Sequence, residues 1–175
     1  HCAGNVGAVG NNAIGISGVS PVVSIMALRF IEDEGGTTAN AIRAIKYAVD
    51  NGAKILSNSW GSEGEDPSEQ KENLALREAI KYAMSKDVLF VAAAGNGHWG
   101  RGYDNDTDKA PGFLASYPID NIVSVAAMDS RDRLGSFSNW GKKSVHLGAP
   151  GVAIFSTVPD GRYTDVVLET MGQII

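Results

Sequence analysis

Three stretches of the chain carry side chains that could do chemistry. In Ala92-Ala93-Ala94-Gly95-Asn96, small residues run up to a Gly-Asn pair. Little bulk surrounds the asparagine amide, so its N–H could donate to an oxyanion forming during acyl transfer. The same pair also makes an ordinary turn. In GNNAIGISGV, residues 10–19, the glycines let backbone carbonyls converge and Asn12 adds a neutral oxygen. Hard cations such as calcium take about six to eight oxygens, many of them carbonyls. A plain Gly-Asn loop would be written the same way. The stretch has neither the acidic series of an EF-hand nor the glycine spacing of a dinucleotide fingerprint. Asp104, Asp106 and Asp108 alternate in a loop rich in Gly, Asn and Asp, which suits either a second calcium site or a solvated acidic loop.

Other chemistries find little support. The histidines His1, His98 and His146 have no zincin spacing, and each reads as structural or exposed. Cys2 is the one cysteine, which excludes an internal disulfide framework and reads as a small buried hydrophobe. No serine sits in a Gly-x-Ser-x-Gly elbow. Trp60, Trp99 and Trp140 all lie in or beside loops. Twenty acidic against fifteen basic residues give a net charge of −5, which argues against nucleic acid or an anionic membrane as partner. No apolar stretch reaches the ~18 residues of a spanning helix.

The 175 residues are 43% hydrophobic and 20% charged, enough for one domain with a buried core. The elements that must position these side chains alternate between apolar strands and amphipathic helices. Residues 22–31 form a β-branched apolar run that predicts a buried strand. Thr37 and Thr38 offer N-caps for a helix over 39–51, in which Ala41, Ile42, Ile45, Ala48 and Val49 recur at helical spacing. A short strand follows at 54–58. A helix over about 68–86 then shows Leu74, Leu76, Ala79, Ile80, Ala83 and Met84 on one face. Further strands are predicted at 88–94, buried, and at 122–127, 144–147 and 152–157. This alternation implies an α/β fold with a mostly parallel sheet flanked by helices. In such sheets the chemistry lies beyond the carboxyl ends of the strands. Two loops rich in small polar residues leave such ends, one at 57–62 and the other at 94–98.

Taken in order, these segments resemble the subtilisin-like serine peptidases, the subtilases, over residues 2–163. His1-Cys2-Ala3-Gly4 is similar to the tail of the family's His-Gly-Thr-His-x-Ala-Gly motif. Residues 10–21 resemble its calcium loop and the strand after it. Asn58-Ser59-Trp60-Gly61 resembles one wall of its substrate groove, and residues 92–96 the strand that ends in the oxyanion-hole asparagine. Residues 136–141 and 147–151 resemble its SFSNxG and GAPG segments. Phe113-Leu114 stands where the family often has Tyr-Pro.

The resemblance implies a subtilisin-like fold, incomplete at both ends, from a serine endopeptidase that works through an acyl-enzyme. It makes Asn96 the oxyanion donor. Ser59, Trp60, Gly61, Ala94 and Gly95 become the substrate pocket. Calcium is the implied structural cofactor, held by Asn12 and the main-chain carbonyls of Gly10, Ile14 and Ile16. The partner would be a peptide or protein substrate, and the location secreted or vacuolar/lumenal. Carried over residue by residue, His1 matches the motif's second histidine and not the general base. The catalytic Asp and His therefore fall before His1. Where Gly-Thr-Ser-Met-Ala is expected, the chain reads Thr164-Asp165-Val166-Val167, so residues 164–175 diverge from the family. The expectation is a fragment or processed piece of a peptidase domain, inactive alone. A peptidase-derived module that binds peptide with calcium but does not cleave it is the alternative.

Overall fold

The computed structural model describes residues 1–20, 22–32, 35–61, 73–108 and 114–164. In chain order the elements are α1 (Cys2–Gly7), β1 (Ile31–Glu32), β2 (Gly35–Gly36), α2 (Thr38–Asp50), β3 (Ile55–Asn58), α3 (Leu74–Ser85), β4 (Leu89–Ala93), β5 (Ile122–Met128), β6 (Leu147–Pro150), β7 (Ser156–Val158) and β8 (Arg162–Thr164). They fall into two compact units. One comprises residues 28–150 and the other joins 1–27 to 151–175.

The unit over 28–150 is built on a four-stranded sheet in the order β3-β4-β5-β6, parallel throughout. β1 and β2 form a small antiparallel pair. α2 begins where the sequence places it. The Thr37 hydroxyl oxygen accepts the Asn40 N–H at 3.2 Å, satisfying one of the helix's unpaired first-turn donors. Ala41, Ile45, Ala48 and Val49 make its buried stripe. α3 buries Leu76, Ala79, Ile80 and Ala83. The two helices pack together, and the Tyr82 hydroxyl donates to Asp50 at 2.5 Å across them. The same carboxylate pairs with Lys46 at 2.6 Å. These stripes share one core with Leu56, Phe90, Ala92 and Ile122 from the strands. Burying a side chain the size of Phe90, Ile80 or Leu76 contributes about 1.5–3 kcal/mol each.

Burial alternates along β3 and β4. Leu56, Asn58, Phe90 and Ala92 face the core, whereas Ile55, Ser57, Leu89 and Ala93 are exposed. β4 is therefore half-buried, against the expectation of a strand covered on both faces. The helices that would cover a parallel sheet protect one side of these two strands among the described residues.

The run over 22–31 differs more. It is not a buried strand. Val22 is 95% exposed, Ile25 48% and Met26 41%. The ladder begins only at Ile31. A β-branched apolar run becomes a strand when a neighbouring strand takes its backbone groups, and among the described residues none pairs with 22–30. Leu28 and Phe30 still pack against the core. Residues 144–147 also depart from expectation. Residues 142–144 form a turn and the strand starts at Leu147, opposite Val125. The reason is local. Asp106 takes the main-chain N–H groups of Lys143 and Ser144, and His146 bonds twice to Ser124, so the ladder cannot begin earlier. β6 ends on Pro150 and lies at the sheet edge, where a residue without an N–H is tolerated.

In the second unit, α1 packs against β7, which pairs with β8 in an antiparallel hairpin. The strand expected over 152–157 is thus shorter and shifted, covering 156–158. His1 Nε2 lies 2.9 Å from the Ile154 carbonyl, and the Ser156 hydroxyl donates to the His1 carbonyl at 2.9 Å. His1 is structural here, as expected. Cys2 is exposed rather than buried, because its one-and-a-half-turn helix turns only Gly4 inward. The start of the helix expected from residue 68, Phe113 and residues 165–175, where divergence from the family is expected, lie outside the described residues.

Candidate active site

β3 and β4 are adjacent and parallel, with Asn58 opposite Ala92. Their carboxyl ends therefore open on the same end of the sheet, and the loops at 59–61 and 94–98 both leave from there. Each of the expected pocket residues is on one of these two loops. Ser59 and Gly61 are exposed and Trp60 is half-buried. Ala94 is buried, and Gly95 and Asn96 are half-buried.

Asn58, which the sequence places only as the first residue of the wall, anchors the first loop. It is 7% exposed. Its side-chain N–H2 donates to the Leu56 carbonyl at 2.9 Å and to the Val91 carbonyl at 3.3 Å. Its oxygen accepts the Trp60 indole N–H at 2.9 Å. The Trp60 ring meets Phe30 edge to face, with centroids 5.0 Å apart. Trp60 is thus fixed at its polar end by Asn58 and at its apolar body by Phe30.

The second loop is held from behind. Ala94 donates its N–H to the Val125 carbonyl at 2.8 Å. The Ala94 carbonyl accepts from Asn105 Nδ2 at 2.8 Å. Asn105 Oδ1 accepts from Asn139 Nδ2 at 3.0 Å, and Asn139 Oδ1 accepts the Tyr103 N–H at 2.9 Å. The Asn139 main-chain N–H donates to the Gly95 carbonyl at 2.9 Å. Gly95 itself sits at φ +108°, a conformation that favours glycine. Between these tied residues and the turn beyond, the Asn96 side chain makes no hydrogen bond among the described residues. An unengaged amide held at a strand's carboxyl end can stabilise a developing oxyanion.

Beyond Asn96 the chain makes a tight turn. His98 and Arg101 exchange main-chain hydrogen bonds at 3.0 and 3.1 Å, and Trp99 at the tip is 94% exposed. Gly102 passes so close to residue 138 that a Cβ there would lie 1.9 Å from the Ser138 carbonyl oxygen. The acidic trio is absorbed into this scaffold. Asp104 accepts the Asp106 N–H at 2.9 Å, and Asp108 accepts the Asp104 N–H at 2.7 Å. Asp106 accepts from Lys143 at 2.8 Å and Ser144 at 3.0 Å. Its carboxyl is held below the usual range, chiefly by the Ser144 hydroxyl and then by these main-chain N–H groups. That hydroxyl lies near the carboxylate but outside strict hydrogen-bond geometry.

His146 Nδ1 accepts the main-chain N–H of Ser124 at 2.9 Å, a structural contact. In the other unit, the 10–16 loop carries positive φ at every second residue, Asn11, Ala13 and Gly15. The four expected calcium donors, Gly10, Asn12, Ile14 and Ile16, are the residues between and beside them. Asn12 Oδ1 accepts the Ile14 N–H at 3.1 Å, which leaves its second lone pair. Neutral oxygens of this kind are the donor chemistry that calcium takes.

A sequence profile described as the subtilase family, Peptidase_S8, matches residues 1–170. Thermitase of Thermoactinomyces vulgaris is 38% identical over 167 residues, which cover 95% of this chain and 53% of that protein. Subtilisin-like protease 2 of Plasmodium falciparum is 36% identical over 93% of this chain and 12% of its own length. The solved patellamide maturation protease PatA superposes with a TM-score of 0.76 at 27% identity, covering 94% of this chain and 56% of that one. The chain spans about half the length of thermitase.

Proposed function

The chain belongs to the subtilase family, and we propose that the protein containing it is a serine endopeptidase whose oxyanion donor is Asn96. The observation that carries this is the Asn96 amide, unengaged among the described residues and held beyond β4 on a backbone tied at Ala94 and Gly95. When a nucleophile attacks a peptide carbonyl, negative charge moves onto the carbonyl oxygen. A preset amide N–H stabilises that charge without reorganising as the reaction proceeds. Ser59, Trp60 and Gly61 form one wall of the substrate pocket, with Ala94 and Gly95 at its base. An extended peptide binds along this end of the sheet through main-chain hydrogen bonds. The nucleophile, base and orienting acid match no position among these residues, so the 175-residue chain is inactive by itself. Triad members act as a unit, and an oxyanion donor does not replace them.

Gly10, Asn12, Ile14 and Ile16 hold a calcium ion, which supplies cross-linking of the loop and no catalytic step. Adding calcium then slows proteolytic nicking within residues 10–17, and Asn12→Ala weakens that protection. The protein acts in a secreted or vacuolar/lumenal setting. No helix among the described residues is long and apolar enough to cross a membrane.

The test compares the full-length protein with the 175-residue chain on a chromogenic peptide ester. The full-length protein should turn the ester over, and the isolated chain should not exceed buffer. Peptide binding by the full-length protein without any cleavage would favour the non-catalytic binder. Turnover by the isolated chain would refute its inactivity.

A further inference from the structure

We infer that Asn105 and Asn139 are positioning residues for Asn96, a pair of buried amides that lock the Ala94–Gly95 backbone so that the donor keeps one orientation. The inference deepens the proteolytic reading above and rests on it. Asn105 is 6% exposed and Asn139 1% exposed. Asn105 lies in the 97–108 loop that follows Asn96 directly, whereas Asn139 is remote in sequence, in the 136–141 segment.

Their hydrogen bonds form a continuous chain. Tyr103 N–H donates to Asn139 Oδ1, Asn139 Nδ2 donates to Asn105 Oδ1, and Asn105 Nδ2 donates to the Ala94 carbonyl. A second strand of the same network runs from the Asn139 main-chain N–H to the Gly95 carbonyl. Main-chain bonds from Asn105 to Trp140, at 2.7 Å, and from Trp140 to Tyr103, at 2.9 Å, fasten the two segments to each other. Two consecutive carbonyls immediately before Asn96 are thus each gripped by one of these asparagines.

The grip matters because of what precedes the donor. Gly95 carries no Cβ and takes a positive φ, so by itself this residue is a permissive point in the backbone. An oxyanion donor that swings freely must be reoriented in every turnover, which forfeits the advantage of presetting. Neither asparagine reaches the proposed reacting atoms. They act by removing the freedom of the residue that does.

A polar side chain buried in this way costs stability unless its hydrogen-bonding groups are met. Here each amide spends both a donor and an acceptor on the segment behind Asn96. Asparagine carries its donor and its acceptor on two separate atoms, so one side chain can bridge two groups at once. Aspartate would offer only acceptors, and would set an oxygen against the Ala94 carbonyl.

The experiment is a double-mutant cycle in the full-length protein. Asn105→Ala and Asn139→Ala should each lower kcat on a peptide ester about tenfold or more, with KM within about threefold. In an Asn96→Ala background neither should lower kcat further, because a brace acts only through the group it holds. Equal losses in the two backgrounds would overturn the inference and leave two asparagines that merely support the fold. If Asn105→Ala does not fold, Asn139→Ser carries the same cycle. It stays uncharged and keeps the main-chain bond to Gly95, and gives up the side-chain bonds to Tyr103 and Asn105. If the wild-type protein cleaves no peptide, the proteolytic reading fails separately. The brace is then judged by the NMR order of the Asn96 side-chain amide, which should fall in the brace variant. Unchanged order would overturn it.

Discussion

Replacing Asn58 tests whether the pocket wall is built from the sheet outward. Its amide bridges two carbonyls, on β3 and β4, and holds the Trp60 indole. Asn58→Ala removes all three bonds from a site that is 7% exposed. Leu56 and Val91 lie in the sheet, and half-buried Trp60 can reach some water. The loss is therefore nearer to one buried group left unsatisfied than to three, or about 1–3 kcal/mol. Urea unfolding should show that loss as a lower midpoint with an unchanged slope. Trp60 emission, isolated by Trp99→Phe and Trp140→Phe, should shift to the red as the indole loses its anchor. Asn58→Asp sharpens the test. A carboxylate facing two carbonyl oxygens in a buried site has its folded pKa raised above the unfolded value near 3.9. The variant is then least impaired below about pH 3.9, and its stability falls as pH rises through the folded pKa. A loss under about 0.5 kcal/mol for Asn58→Ala, within the range of ordinary surface substitutions, would refute the reasoning. So would an Asn58→Asp deficit that does not change with pH.

Two further outcomes follow from the scaffold behind Asn96. Gly102→Ala places a methyl group 1.9 Å from the Ser138 carbonyl oxygen, a backbone atom that cannot swing aside. It should disorder the 97–108 loop, seen as faster hydrogen exchange at the Gly102 and Asn139 amides, while the α2–α3 core stays protected. Asp106 titrates below its ordinary range, so its contribution is present above the unfolded pKa and is lost as pH falls through the lower folded value. Acidification below about pH 3.9 should therefore release the 142–144 turn. Exchange at Lys143 and Ser144 reports it, and Asp106→Asn should weaken that protection at neutral pH.

Much of this architecture is legible in residue order. α2 announces itself through Thr37 and the Ala41–Ile45–Ala48–Val49 stripe, because capping and periodicity are local. β3, β4 and β5 read clearly because each is a short apolar run between helix and loop signals. The 22–31 run misleads for a physical reason. β-branched residues record a preference for pairing, and pairing needs a neighbour that no local pattern reports. β6 starts three residues late because a carboxylate from residue 106 captures the N–H groups ahead of it. The two loops of the candidate site are legible as small-residue strand ends. The asparagines behind them are not. Asn105 and Asn139 look like turn residues, since asparagine in a loop ordinarily bonds to its own backbone. Only the fold reveals that they bond to each other. The one available hint is that Asp104, Asn105 and Asp106 stand together as three short polar side chains, a composition that suits a cap or a brace as well as a metal loop.

The account turns on Asn96, and the most direct measurement is the turnover of Asn96→Ala in the full-length protein. The prediction is a fall in kcat of ~10²–10³, the range known for removing one such donor in peptidases of this fold. KM should stay within a few-fold, and the melting temperature should be unchanged because the amide supports nothing else among the described residues. A kcat equal to wild type would contradict the account, as it would place the oxyanion somewhere other than at the end of β4.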